Sequence, residues 1–278
     1  ILFTVPAPSS AAMLLGAAEA LSAVRNFDGT VYFIFQPAEE HEGGGQVMIE
    51  EGLFERFPME RVFGLHNWPG LPTGSFGVTE GPVMAGTDRF DITITGRGGH
   101  AAMPHQAVDV VLAGSALVQA LQALVSRETD PQDAAVVSVT RFHAGHADNV
   151  LPETAQLGGT VRTLNTALQD ALEAAMQRVC NGIAATCRVQ IEMKYARGYP
   201  PTVNAPDATA IALAAAQEVV GVESVQTQLK PSMGAEDFAY LAQARPACYV
   251  WLGNGPTAGN CMLHSPHYDF NDEIIATG

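Results

Sequence analysis

The chain has 278 residues, 47% hydrophobic and only 15% charged, with 29 Asp and Glu against 14 Lys and Arg and a formal net charge of −15. That length can bury a large core in one or two domains. So acidic a surface repels phosphate backbones and anionic lipid, so neither nucleic acid nor a membrane is expected as a partner.

In chain order, Ile1 to Val5 lacks the basic flank and the length of a signal peptide. The missing initial Met and the abrupt Ala276-Thr277-Gly278 read as a fragment at both ends. Ser9-Ser10 caps a helix expected over Ala11 to Val24. Val31 to Phe35, β-branched and aromatic and closed by Gln36-Pro37, predicts a buried strand. A Gly43-Gly44-Gly45 turn, a short helix around Gln46 to Glu51 and a second apolar strand, Val62 to Leu65, follow. This alternation predicts an α/β fold with a mostly parallel sheet.

From about Asp88 the texture changes, because Phe90, Ile92 and Ile94 alternate with Asp91, Thr93 and Thr95 in a half-exposed strand. Helix Val108 to Val125, strands Ala135 to Phe142 and Thr154 to Leu164, helix Thr166 to Ala185 and strand Val189 to Tyr195 complete a ferredoxin-like βαββαβ arrangement. After Tyr199-Pro200-Pro201 the α/β pattern returns with helix Ala205 to Val220 and strand Ala247 to Leu252. The expected organisation is a discontinuous α/β domain over 1–86 and 200–278, interrupted by an inserted domain over 87–199. No stretch reads as long and apolar enough to span a membrane. Cys180, Cys187, Cys248 and Cys261 form no Cys-x-x-Cys pair, so a zinc ribbon is not supported, and reduced thiols in a cytoplasmic protein are expected.

Glu39-Glu40 would stand at the carboxyl end of the first apolar strand, where open α/β sheets gather ligands. Adjacent carboxylates repel, and a cation beside them removes the conflict, one serving as ligand and the other free to move protons. The bland alternative is a solvated acidic loop, which Glu42 also fits. His66 would end the second strand, held by the turn Asn67-Trp68-Pro69-Gly70, and His264-Ser265-Pro266-His267 forms a loop after the last strand. Two carboxylates with two or three histidines at strand ends of one sheet suit a hydrolytic site for Zn, Mn or Co. Gly96-Arg97-Gly98-Gly99-His100 lets His100 project from the first strand of the inserted domain, as a donor to a developing oxyanion or as part of an ordinary hairpin corner.

Six motifs in order then carry a resemblance: Gln36-Pro37-Ala38-Glu39-Glu40, Gly64-Leu65-His66, Gly98-Gly99-His100-Ala101-Ala102-Met103-Pro104, Asn149-Val150-Leu151-Pro152, Met233-Gly234-Ala235-Glu236-Asp237-Phe238 and His264-Ser265-Pro266. From about Ala12 to Ile275 the chain resembles the amidohydrolase branch of the aminoacylase/carboxypeptidase metallopeptidases, with its hippurate, indole-acetyl-amino-acid and N-acetyl-diaminopimelate hydrolases. The resemblance implies a metallopeptidase catalytic domain with two divalent transition metals per site (Zn, Mn, Co or Ni), interrupted by a dimerisation or lid domain. It implies that Glu39 is the general base and that Glu40, His66 and His264 are metal ligands. By the same resemblance His100 steadies the oxyanion, Asn149 and Arg162 line the substrate end, the substrate is a small N-acyl amino acid, and a homodimer forms through 87–199. Glu236 and Asp237 lean towards supporting roles.

One stretch departs from that pattern. The family's remaining ligands lie in a Cys-Gly-His-Asp-Gly-His segment before the Ala12-Met13-Leu14-Leu15-Gly16 helix, where this chain has Val5-Pro6-Ala7-Pro8-Ser9-Ser10. Counted without gaps, Val5 replaces the Cys and Ala7 the first His, and neither binds metal. Three accounts stay open: a truncated or frame-shifted piece of a working enzyme, an inactive member that only dimerises or binds, and a site using His41 or Glu42 as substitutes. A dinuclear aminopeptidase is the remaining rival, separable because it would need a free amino terminus on its substrate.

Overall fold

The computed structural model describes residues 2–4, 8–40, 43–256 and 261–278. Val5, Ala7, His41 and Glu42 lie outside the described residues. The chain divides into two compact units, one of Ile1–Met84, Thr202–Ser232 and Glu236–Gly278, the other of Ala85–Pro201 with Met233–Ala235.

The first unit is built on a six-stranded sheet, in the order Val225–Gln226, Phe76–Gly77, Ala247–Gly255, Val62–Pro69, Leu2–Thr4, Tyr32–Phe33. Its pairings are parallel except where Phe76–Gly77 runs against Ala247–Gly255. Every residue of Ala247–Gly255 is buried, as a central strand covered on both faces requires. Val62, Tyr249 and Trp251 pack on one face with Leu53, Phe54, Phe238 and Leu241. Phe63, Cys248, Val250 and Leu252 pack on the other with Ala208, Ala216 and Ile274. Helices Gly44–Glu50, Leu53–Arg56 and Phe238–Ala244 thus cover one side, and Pro206–Val220 the other.

Two expectations need correction here. The first apolar run yields only Tyr32–Phe33 as strand, half-buried at the edge of the sheet, and Phe35 is exposed, so it is not the buried strand expected over Val31 to Phe35. The second strand runs on to Pro69, so His66 lies within it and does not end it. The partner strand explains the extension: Trp251 pairs with His66, Leu252 with Asn67 and Gly253 with Trp68. The Trp68 and Trp251 rings stack with centroids 3.9 Å apart, which holds the register beyond the point where apolar residues stop.

The second unit has a four-stranded antiparallel sheet, in the order Gln190–Arg197, Gly86–Thr95, Thr154–Thr163, Ala135–Ala144. Phe90, Ile92 and Ile94 point into the core with Leu117, Leu121, Leu124, Leu172 and Met176 from helices Val110–Ala123 and Thr166–Cys187 and the turn between Leu124 and Glu128. Asp109 caps the first helix, accepting from Val111 and Leu112 N–H, and Asn165 caps the second through Leu168 N–H. The order of elements is βαββαβ. The helical stretch Val110–Glu128 is by length and composition apolar enough to cross a membrane, which corrects the expectation from sequence. It is nevertheless a core helix, since Val110, Ala113, Leu117, Leu121 and Leu124 are all buried against the sheet.

Gly64 decides how closely the two central strands of the first unit support each other. A Cβ there would lie 2.5 Å from the Tyr249 ring and 3.0 Å from that of Phe238. Gly64→Ala is expected to displace both rings and cost about 1–3 kcal/mol, the usual penalty for overpacking a filled core. Denaturant unfolding of the two proteins checks this, with a lowered midpoint at unchanged slope as the expected result.

Candidate active site

On the first unit the sheet delivers one predicted ligand, His66, and turns deliver Glu40 and His264. The strand before Glu40 ends at Phe33, which corrects the placement of Glu39-Glu40 at a strand end. The Glu40 carboxylate lies 3.8 Å from His264 Nδ1, both side chains largely exposed. His66, half-buried inside its strand, feels both: Glu40 pulls its pKa up and His264 pushes it down, while burial, the largest influence, keeps it below the usual imidazole value. A neutral imidazole is the form that ligates metal. Its Nδ1 lies 2.7 Å from the Asn67 carbonyl, and a neutral ring donating there leaves Nε2 as the free lone pair, the usual second partner of a metal-binding histidine. Asn67 is itself fixed by a 2.5 Å bond to Tyr268 OH. His264 has φ 67° and Ala38, next to Glu39, has φ 55°. Both sit in the left-handed region that non-glycine residues adopt at a cost, and such strain gathers at functional positions.

Glu39 faces inward, onto a second carboxylate group. Oxygens of Glu39, Glu236 and Asp237 all lie within 4.8 Å of one another. The Asp237 N–H donates to Glu39. Burial first, then Asp237 and Glu40, raise the Glu39 pKa to about 7. Glu236 accepts from Tyr249 OH at 2.7 Å and from Phe238 N–H at 3.4 Å, and burial, followed by Glu39, holds it well above the normal carboxyl value. Asp237 accepts from Gly45 N–H at 2.9 Å and from the Gln36 amide. All three carboxylates therefore accept from donors, whereas among the described residues Glu40 and His264 meet chiefly each other and His66 keeps its Nε2. Among the described residues only the acidic trio has its ligand atoms gathered within 4.8 Å, and Glu40, His66 and His264 are not drawn together that closely, although an N,N,O set is by donor type the better match to a transition metal.

The second unit holds the other predicted residues. Gly99–His100 is a two-residue strand of its own, paired with Val150–Leu151 so that His100 stands opposite Val150, which corrects its assignment to the unit's first strand. Ala101 N–H donates to the Asn149 carbonyl, so this short ladder brings His100 and Asn149 together. His100 is exposed, and its Nδ1 accepts from Ala102 N–H at 3.1 Å. A neutral ring then carries its proton on Nε2, pointing away as a donor. Arg162 lies in strand Thr154–Thr163, half-buried; burial and then Arg89 lower its pKa while Asp88 counteracts. Among the described residues no hydrogen bond joins Arg162 to His100 or Asn149.

The family model described as peptidase family M20/M25/M40 matches residues 9–278. The chain belongs to this family. Within it, relatives place the chain in the amidohydrolase branch. It is 38% identical over 263 residues to a hippurate hydrolase of Campylobacter jejuni, covering 95% of this chain and 68% of that protein. It is likewise 38% identical over 265 residues to an N-acetylcysteine deacetylase of Bacillus subtilis, with the same coverage of 95% and 68%. A solved Bacillus subtilis structure, described as a dinuclear metal-binding peptidase from the M20 family, superposes with a TM-score of 0.81 at 30% identity, covering 99% of this chain and 77% of that one. These relatives support the mixed α/β metallopeptidase fold and amidohydrolase chemistry.

The sequence leans towards supporting roles for Glu236 and Asp237 but assigns none to Tyr249, Gln36 or Gly45, which enter it only within a strand, a motif and a turn. Tyr249 reads only as core, and its phenol is visible as a partner only once Gly64 has made room for the ring. Glu236 has a testable pH signature in metal-free M20 protein. Its folded pKa lies above the ordinary 4.5, so the stability tied to the protonated form is complete below about 4.5 and is lost as pH rises through the raised value. Glu236→Gln keeps an acceptor for Tyr249 and removes that loss. Thermal unfolding in chelator between about pH 5 and about pH 9 should show the wild type weakening more steeply than the variant towards alkaline pH. Parallel curves would contradict this.

Proposed function

We propose that this chain carries the hydrolytic site of an N-acyl amino acid amidohydrolase, releasing a carboxylate and a free amino acid. The observation that carries this reading is the split between two neighbouring groups: Glu40, His66 and His264 with open donor atoms, and Glu39 held against buried carboxylates with its pKa at about 7. The two histidines and one carboxylate match the three-ligand set that catalytic zinc sites use with an open position. Zn, Mn, Co or Ni fits these donors, and a second ion would need donors beyond the three. A bound divalent ion supplies Lewis acidity and brings the pKa of water to about 7.

The chain's own residues supply the rest. Glu39 takes the proton of the attacking water and passes it to the leaving amine nitrogen, a transfer that works best with a base whose pKa lies near the working pH. His100, through Nε2–H, donates to the oxyanion that forms on the former carbonyl. Arg162 and Asn149 meet the substrate's carboxylate end. In this reading the second unit is a lid and dimerisation domain over about 87–199, the protein works as a homodimer, and it is cytoplasmic. Free cysteines, with the thiols of Cys180 and Cys248 pushed up to about 11 and about 12 by burial, support a reducing setting.

The test is a panel of N-acetyl and N-benzoyl amino acids with Zn or Mn, beside free-amino dipeptides. Hydrolysis of the acylated compounds alone is expected, and cleavage of the dipeptides alone would favour an aminopeptidase instead. Glu39→Gln should abolish turnover with metal still bound, and normal turnover would remove Glu39 from the base role. His100→Ala should lower kcat by about two to three orders of magnitude, the usual cost of losing an oxyanion donor.

A further inference from the structure

The chain on either side of Glu39-Glu40 is closed by one side chain from far along the sequence. One Asp237 carboxylate oxygen accepts from the Gln36 side-chain amide and the other from Gly45 N–H at 2.9 Å. The Asp237 main chain adds a third link, its N–H donating to the Glu39 carboxylate. The approach is tight on both flanks. A Cβ on Gly44 would fall 1.8 Å from the Pro37 carbonyl oxygen, and one on Gly45 would fall 3.1 Å from the Asp237 carbonyl oxygen. Between these anchors Ala38 holds left-handed backbone, φ 55°, a conformation that a non-glycine residue keeps only where the surroundings impose it, while Gly43, φ 62°, adopts the same region freely. Asp237 is fully buried, and it opens helix Phe238–Ala244, whose Phe238 and Leu241 are in the core.

We propose that Asp237 is the positioning residue of this site, a carboxylate clamp that ties Gln36 to Gly45 and thereby sets the direction of Glu39 towards the reacting water and of Glu40 towards the ion. The inference rests on the reading of Glu39 as base and Glu40 as ligand. It assigns Asp237 no contact with substrate. The clamp needs two acceptor oxygens facing two donors, and the Gln36 amide is the donor that a carboxylate at position 36 cannot replace, since it would set acceptor against acceptor whichever way it turned.

That requirement allows a charge-conserving rescue. In Gln36→Glu a second carboxylate faces Asp237 and the donor between them is gone. Adding Asp237→Asn sets an amide donor against the new carboxylate and leaves the remaining side-chain oxygen at position 237 for Gly45 N–H. With the metal-loaded full chain and an N-acyl amino acid, Q36E is expected to lose at least about tenfold in kcat with KM within about twofold, the mark of lost transition-state alignment. Q36E/D237N should regain most of it. Amide hydrogen exchange over residues 43–50 gives a readout that needs no turnover: protection should fall in Q36E and return in the double variant, while core strand Ala247–Gly255 stays protected in all three. A Q36E protein with wild-type exchange over 43–50, or a double variant no better than Q36E, would overturn the clamp. A wild-type chain that hydrolyses no acylated amino acid would overturn the functional reading alone, and the exchange series would still decide the clamp.

Discussion

The parallel pairing of Val62–Pro69 with Ala247–Gly255 is the constraint on which the rest of the first unit depends. It places His66 opposite Trp251 and brings the Tyr249 ring across Gly64, close enough for the phenol to reach Glu236. Glu236 and Asp237 then lie beneath Glu39, and Asp237 reaches the segment that carries Glu39 and Glu40. One strand pair thus positions both His66, the proposed ligand, and the buried carboxylates that support Glu39, the proposed base. Slipping the pairing by one residue would turn His66 and Tyr249 to the opposite face.

Burial separates the chemistry of carboxylates that stand within a few ångströms. Glu40 is exposed and faces His264, so it can act as a ligand beside that imidazole. Glu39 is half-buried, and desolvation together with neighbouring charge raises it towards neutrality. Glu236 is buried outright and held well above the ordinary range. Environments that push like groups apart in pKa are the means by which one site assigns ligand, base and support.

Much of this was legible in the residues. Period-two alternation at Phe90, Ile92 and Ile94 and the apolar run at Ala247 marked strands that the structure contains, and six ordered motifs pointed to the amidohydrolase branch, to which the family match and the relatives assign the chain. Local pattern failed where tertiary pairing decides. The run Val31 to Phe35 has the composition of a central strand but occupies an edge, and Asn67-Trp68-Pro69 has the composition of a turn but continues a strand because Trp251 stacks on Trp68. The clamp was illegible because Asp237, Gln36 and Gly45 meet only through the fold, 192 to 201 positions apart.

The central claim is that Glu40, His66 and His264 form the metal-binding set while Glu39, Glu236 and Asp237 form its buried support. Anomalous diffraction at the zinc edge, from crystals grown with zinc and back-soaked to remove excess, tests it most directly. The account predicts a peak within about 2.2 Å of Glu40 oxygen and of the two imidazole nitrogens, the distances zinc keeps to such ligands. A peak among Glu39, Glu236 and Asp237, or no peak at either group, would contradict it.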